Sequence, residues 1–555
     1  MDIKSIVVST ATAIATATAT AIASASPTTS DTYALPTHTP ALSSATSTAG
    51  TITGWICLVW YCLIIFLSTV GITLVYKRNT VADAPRSPSM TNPPGVSILR
   101  PLKGIDPEME TCLMAAFEQD YPLFEIIFAV EMADDPAIPI VEQLIARYPN
   151  VDARLLVGSA HYGPNPKVNN LVKAYQRAKY DIVWVLDANV WVTRSAMARS
   201  VDKFIENRTV ELVHHLPVCV AIDDGVGAEL DEMFMLTAHS KFYTAINWAA
   251  LAPCVMGKSN MYRRSSLNKA AKSFNPSTFN PFTQWAAMSA AKVVQPAVGG
   301  NPESLAISPP TAESQTISSS AVHSTTPHSR SNSPTHDTEE NTGLQQFAKY
   351  IAEDNMIAEA LWGEGGRTAM TSDSVVQPLA KVTLAGYVQR RVRWLRVRKF
   401  MVLAATLLEP TTESILCGII GSVGYSLIFK GGYFSWPFFF IHMALWCLSD
   451  YFHFHNLLSF SNLDRPKPNQ TIPYFAKRFY TNKHQLNTPS LLGKGKNVNG
   501  PFESRFALHW ISVWLLRESL ALPIWTMAML GQQVFWRNKP FRINADLSAE
   551  EIDLN

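Results

Sequence analysis

An α/β protein with a mostly parallel sheet, joined to transmembrane helices at both ends, is the fold class this sequence predicts, on three observations. Between residues 95 and 400 short β-rich apolar runs alternate with helical patterns, as in sheets whose parallel strands are joined by crossover helices. Residues 54–76, GWICLVWYCLIIFLSTVGITLVY, form an uncharged apolar run of about the 20 residues that cross a bilayer. Further apolar runs follow the α/β region at 415–429, 433–448 and 506–530.

Composition is consistent with this reading. Of 555 residues 47% are hydrophobic and 16% charged, with 46 Lys and Arg against 44 Asp and Glu. A nucleic-acid partner is excluded as the leading reading, because phosphate binding leaves a basic excess. The seven cysteines are scattered without a C-x-x-C pair, so neither a disulfide framework nor a zinc site is expected.

The Ala/Thr/Ser repeat over 9–26 lacks the basic start and strongly apolar centre of a signal peptide, which predicts a disordered tail over 1–50. A membrane helix is expected over 53–76. Lys77 and Arg78 follow it directly, so the positive-inside tendency places the tail in the lumen and the region that follows the span in the cytosol. VSILRP then reads as a strand, and DPEMETCLMAAFEQ as a helix with Asp106 as its N-cap and Pro107 at its first position. FEIIFAVE is a second strand, followed by a helical face of Ile140, Val141, Leu144, Ile145 and Tyr148. ARLLVG, the helix through KVNNLVKAYQRA and the buried strand of DIVWVLDAN continue the alternation.

Parallel sheets bind ligands beyond the carboxyl ends of their strands. Glu131, Asp134 and Asp135 follow the second strand, and Asp187 and Asn189 follow the run 182–186. Such carboxylates can hold a divalent cation that neutralises a diphosphate, or serve as solvated turn residues and N-caps. Lys167, opening a helix in HYGPNPKVNNL, is a candidate phosphate contact or a plain exposed lysine. Glu353 and Asp354, in KYIAEDNMIAEALW, stand in a first helical turn, where acids also favour the helix dipole.

The order of VSILRPLKGIDP, YPLFEIIFAVEMADDPA, NPKVNNL, DIVWVLDAN, LVHHLP, KYIAEDNMIAEAL and QRRVRWLRVRK resembles the ceramide glucosyltransferases, membrane enzymes with a nucleotide-diphospho-sugar transferase (GT-A) fold. The resemblance implies an inverting transfer of glucose from UDP-glucose to the primary hydroxyl of ceramide. It implies Asp354 as general base, Arg390, Arg393 and Trp394 as the (Q/R)-x-x-R-W motif, and Glu131, Asp134, Lys167 and Asp187 as nucleotide-sugar contacts. Asp187 would also be the metal ligand, holding Mg2+ or Mn2+ weakly. A Golgi membrane, or the endoplasmic reticulum, is the implied location. His214 matches a family histidine. Two departures stand out: Met132 occupies the slot of the family's first aspartate, and the DAN sequence lacks the second carboxylate of a D-x-D pair.

The expected organisation is therefore a tail over 1–50, a span over 53–76 and a cytosolic GT-A domain over 95–400 with a disordered Ser/Thr/Pro-rich insertion at 274–342. A membrane-associated region with two or three spans and a polar loop at 464–500 covers 401–535, and a tail covers 536–555. Three or four crossings in total are expected. A processive polysaccharide synthase, sharing the fold and a similar Q-x-x-R-W element, and a non-enzymatic membrane scaffold are the competing readings.

Overall fold

The structure, a computed structural model, describes residues 42–80, 84–250, 252–275, 343–459, 472–476, 507–536, 539–544 and 546–552. The predicted insertion, apart from 274–275, the predicted polar loop, apart from 472–476, and most of the N-terminal tail lie outside these residues. All described residues belong to one unit of the chain.

Helix α1, Leu42–Thr80, contains the predicted first span and begins inside the stretch read as a tail. Strand β1, Val96–Leu102, is followed by α2, Met109–Phe117. That helix starts later than Pro107 at its first position predicts. Its N-cap is Glu108, held in the left-handed region at φ 54°, rather than Asp106. Then come β2, Phe124–Val130, α3, Ile138–Arg147, β3, Asp152–Val157, α4, Pro166–Gln176, and β4, Ile182–Leu186. Every residue of β4 is buried, as expected for a sheet covered on both faces.

The chain continues through α5, Ala196–Glu206, and β5, Val210–Ala221. Helix α6, Val226–Phe234, passes through a π turn, Met235–His239, into α7, Ser240–Ala249. Strand β6, Ser259–Arg263, and α8, Arg264–Ser273, precede the insertion. Beyond it lie α9, Glu353–Gly363, β7, Arg367–Leu379, and α10, Leu384–Met401. The seven strands form one sheet in the order β3-β2-β1-β4-β6-β5-β7. Only β6 runs antiparallel to its neighbours β4 and β5; the other pairings are parallel.

The C-terminal region contributes α11, Leu403–Leu408, α12, Ser414–Phe429, α13, Trp436–Ser459, and α14, Ala507–Leu530. Among the described residues, two helical segments, Thr48–Arg78 and Leu508–Leu530, are long and apolar enough to cross a membrane. A third crossing exists if the pair Leu403–Thr412 and Ser414–Phe429, bent by 80°, is one span. The sequence predicts three or four. The difference lies in α13, whose inner face carries His442, Asp450 and His453, all buried. The predicted tail is also structured: β8, Gln533–Trp536, β9, Lys539–Ile543, and β10, Ala549–Glu551, form a small antiparallel sheet. Within the predicted polar loop, Phe475 is buried and Tyr474 donates to Glu108 at 3.1 Å.

Helix α7 joins the sheet domain to the membrane elements. Helix α1 crosses it at Gly71, where a Cβ would lie 2.0 Å from the Lys241 carbonyl oxygen, so only glycine permits the approach. On its other side Lys241 Nζ meets Asp450 Oδ1 at 2.6 Å, Trp514 Nε1 donates to Asp450 Oδ2 at 3.1 Å, and Ser240 Oγ lies 2.8 Å from His453 Nε2. Removing one member of a buried ion pair leaves the other unpaired in low dielectric. Asp450→Ala should therefore destabilise the protein by about 3–5 kcal/mol, and the double change Lys241→Met, Asp450→Leu should recover most of that loss. Thermal unfolding in detergent checks both.

Candidate active site

The site assembles where three segments meet beyond the ends of β4 and β1. Leu186 pairs with Ser259 in the antiparallel β4–β6 ladder, so the next residues out, Asp187 and Lys258, face each other. The Asp187 amide donates to the Lys258 carbonyl at 3.0 Å. Asp187 Oδ2 lies 3.2 Å from Lys258 Nζ, and its Oδ1 lies 2.9 Å from Lys167 Nζ.

Lys167 sits in the first turn of α4. Asn165 caps that helix, its Oδ1 accepting from the Lys167 and Val168 amides, while its Nδ2 donates to the Tyr350 carbonyl and to Glu353 Oε2 at 2.9 Å. One asparagine thus fixes the start of two helices. Lys167 Nζ also reaches Glu353 Oε1 at 3.1 Å and donates to the Gly257 carbonyl at 2.9 Å. Asp354 follows as the second residue of α9, with its Oδ1 accepting from the Asn355 amide at 2.9 Å. Gly257 closes the cluster: a Cβ there would lie 3.1 Å from Asp354 Oδ2 and 3.3 Å from Lys167 Nζ.

The electrostatics follow from these contacts. Burial opposes the Lys167 charge, but Asp187 and Glu353 outweigh it and raise its pKa. Burial likewise pushes the Asp187 carboxyl up, yet Lys167 and Lys258 together hold it below the usual carboxylate range. Asp354 goes the other way. Burial and then the adjacent Glu353 push its carboxyl up to about 7, against the weaker pull of Lys167 and the Asn355 N–H.

Of the residues singled out from sequence, Lys167, Asp187, Glu353 and Asp354 come together here. Glu131 and Asp134 stand at the same end of the sheet, outside this contact network: Glu131 pairs with Lys103 at 3.2 Å on the surface, and Asp134 is exposed. Met132, in the slot of the first family aspartate, is 56% exposed. Asp135 does structural work, accepting from the Gly104 and Ala137 amides.

Arg390, Arg393 and Trp394 form a second group on α10. Arg390 Nη1 lies 3.3 Å from Asp231 Oδ2 and its Nη2 donates to Gln377 at 3.3 Å, while its guanidinium sits 4.8 Å from the Trp394 ring centre. Burial pushes the Asp231 carboxyl up; Arg390, Arg391, Lys258 and Arg393 oppose it. Lys258 therefore lies within electrostatic reach of both groups. The rest of the basic stretch of α10 makes contacts within the protein. Arg396 donates to the Gln533 and Met527 carbonyls, Lys399 to those of Met529 and Gly531, and Arg398 pairs with Glu409. Arg396 and Lys399 thereby complement the C-terminal end of α14. His214 is buried with Nδ1 2.6 Å from the Tyr243 hydroxyl, and burial drives its pKa down to about 3. It is a neutral core histidine.

Lys258, Asp231, Asn165 and Gly257 were missed from sequence. Asn165 before Pro166 was readable as a helix start; Lys258 and Gly257 needed the antiparallel β4–β6 ladder, which no local pattern announces. The donor set does not fit a resident divalent cation. Both Asp187 oxygens face ammonium groups, residue 189 is an amide whose Oδ1 takes a bond from Lys258 at 3.2 Å, and among the described residues no three His, Cys, Asp or Glu side chains are grouped to hold a metal.

Membrane helices carrying a sheet domain, with an acid of raised pKa beside a cation-lined strand end, belong to the class of membrane glycosyltransferases. The comparisons make the family definite. The profile of Glycosyl transferase family 21 matches residues 59–271, 334–466 and 494–549, and the chain belongs to that family. A ceramide glucosyltransferase of Komagataella phaffii is 45% identical over 90% of this chain and 91% of its own length. One of Candida albicans is 36% identical over 90% of this chain and 98% of its own. Among solved structures, the mannosyltransferase PcManGT from Pyrobaculum calidifontis, in complex with GDP-Man and Mn2+, aligns at 15% identity and a TM-score of 0.38, covering 73% of this chain and 96% of that one.

Because an added methyl at residue 257 meets both Asp354 and Lys167, Gly257→Ala should displace the acid by a few tenths of an ångström. Misplacing reacting groups by about 1 Å costs up to roughly a hundredfold in rate, so a loss of about tenfold in sugar transfer is expected. A thermal midpoint close to that of the unaltered protein, measured alongside, separates this from misfolding.

Proposed function

We propose that this protein transfers glucose from UDP-glucose to the primary hydroxyl of ceramide, inverting the anomeric carbon, on the cytosolic face of a Golgi or endoplasmic reticulum membrane. The observation that carries the reading is Asp354: a carboxyl with its pKa raised to about 7, within the electrostatic reach of Lys167, in a chain 45% identical to a ceramide glucosyltransferase. An inverting displacement requires one base within reach of the acceptor hydroxyl, and a base is most effective when its pKa lies near the working pH.

In this mechanism Asp354 takes the hydroxyl proton as the acceptor oxygen attacks the anomeric carbon, and UDP departs from the opposite face. Lys167 stabilises the departing diphosphate, and Arg390 and Arg393 add positive charge from α10. Trp394, packed against the apolar cluster that includes Phe234 and Leu379, forms an apolar wall for the acceptor. Glu131 and Asp134 contact the nucleotide at the far side of the same sheet end. A divalent cation, Mg2+ or Mn2+, would be held only weakly at Asp187 and would supply charge neutralisation to the diphosphate. The cytosolic orientation is supported by Lys77 and Arg78 at the end of the first span.

The test is glycolipid formation by membranes containing the protein, supplied with labelled UDP-glucose, UDP-galactose or UDP-N-acetylglucosamine, with and without ceramide. A monoglycosylated ceramide made from UDP-glucose alone supports the reading; an ethanol-insoluble polymer replaces it with a polysaccharide synthase. Asp354→Asn should lower turnover by about 10²–10⁴-fold, the usual contribution of a positioned base. The base works only when ionised, so kcat/KM should fall as pH drops below about 7. Glu353 raises that pKa, so Glu353→Gln should move the acid limb to lower pH; a limb that stays in place removes Asp354 from the base role.

A further inference from the structure

Lys258 stands where a D-x-D motif would carry its ion. Its ammonium lies 3.2 Å from Asp187 Oδ2 and 3.2 Å from Asn189 Oδ1, the two positions whose carboxylates would share a cation, and its side chain is 17% exposed. The ladder partner of Asp187 fixes its backbone: the Lys258 carbonyl accepts from Asp187 and its amide donates to the Met256 carbonyl at 2.8 Å. Charge accounting points the same way. Two aspartates with a divalent cation sum to zero; so do one aspartate, one asparagine and one lysine. An ammonium has three donors, and Asp187 and Asn189 accept two of them, which leaves one for a ligand.

We propose that Lys258 is a diphosphate ligand built into the protein, replacing the cation of the D-x-D arrangement and making donor binding independent of divalent metal. With Lys167 on the other oxygen of Asp187, it forms an ammonium pair at the end of β4, and its field extends toward Asp231 and the α10 arginines. The inference rests on the nucleoside-diphosphate donor proposed above. It requires nothing of the acceptor.

The experiment is calorimetric titration of UDP into the full-length protein in detergent, with EDTA or with Mn2+. The unaltered protein should bind UDP in EDTA within about threefold of its affinity in Mn2+, and Lys258→Met should weaken binding in EDTA about tenfold or more, the worth of a charge-assisted hydrogen bond. Lys258→Arg should retain most of the affinity. The double variant Lys258→Met, Asn189→Asp restores two carboxylates and should bind UDP in Mn2+ but not in EDTA, a gain that an unfolded protein cannot show. UDP binding by the unaltered protein that vanishes in EDTA and returns with Mn2+ would overturn the inference while leaving the donor reading intact, as would a Lys258→Met protein that binds normally in EDTA. No UDP binding in either buffer removes the donor reading and this inference together.

Discussion

The ammonium of Lys167 is the constraint on which the site depends. It joins the end of β4 through Asp187, the first turn of α9 through Glu353 and the segment before β6 through the Gly257 carbonyl. These three pieces are far apart in sequence, and two of them are separated by the long insertion. Without a cation between them, Asp187 and Glu353 would face each other as like charges in a partly desolvated cleft, an arrangement that raises pKa values and pushes segments apart. Asn165 complements the arrangement by capping α4, which aims Lys167, while binding the other oxygen of Glu353. The helix start is thus the means by which the fold delivers a charge to a fixed place.

The membrane elements are tied to this core by polar contacts rather than by a greasy interface alone. Lys241 and Asp450 form a buried pair, with the Lys241 ammonium 4.4 Å from the centre of the Trp446 ring. Glu518 accepts from both the amide and hydroxyl of Ser414, and Arg517 pairs with Glu518 and Glu413. Buried polar pairs of this kind contribute little net stability but are costly in any misaligned arrangement, so they fix the register of α13 against α7 and of α14 against α12. At the same membrane end, Phe234, Tyr387, Arg391, Leu395, Glu409 and Trp525 line a cavity, which places an amphipathic recess next to the helix bearing the R-x-x-R-W residues.

Much of this was legible in the sequence, and the part that was not has a physical cause. The parallel strands, the Asn-Pro start of α4 and the acids opening α9 announce themselves through period, capping and burial, all local signals. Lys258 and Gly257 carry no such signal, because their meaning comes from β6 running antiparallel beside β4. The partners of the basic stretch of α10 were hidden for the same reason: Arg396 and Lys399 meet the terminal carbonyls of α14, which are remote in sequence. The C-terminal strands also escaped local reading, since three short segments become a sheet only by pairing with one another.

The proposed chemistry gains a simple form of coupling from this geometry. Lys167 opposes the rise in the Asp354 pKa that burial and Glu353 produce. A diphosphate that draws on the positive charge of Lys167 weakens that opposition, so on the proposed reading donor binding makes Asp354 a stronger base. The same acid is then least inclined to accept a proton when no sugar is present and most inclined to do so when the leaving group is seated. After glycosyl transfer the departing UDP restores the Lys167 field, which favours release of the proton gained. One lysine thereby links three events that a transferase must keep in order: seating the donor, activating the acceptor and resetting the base.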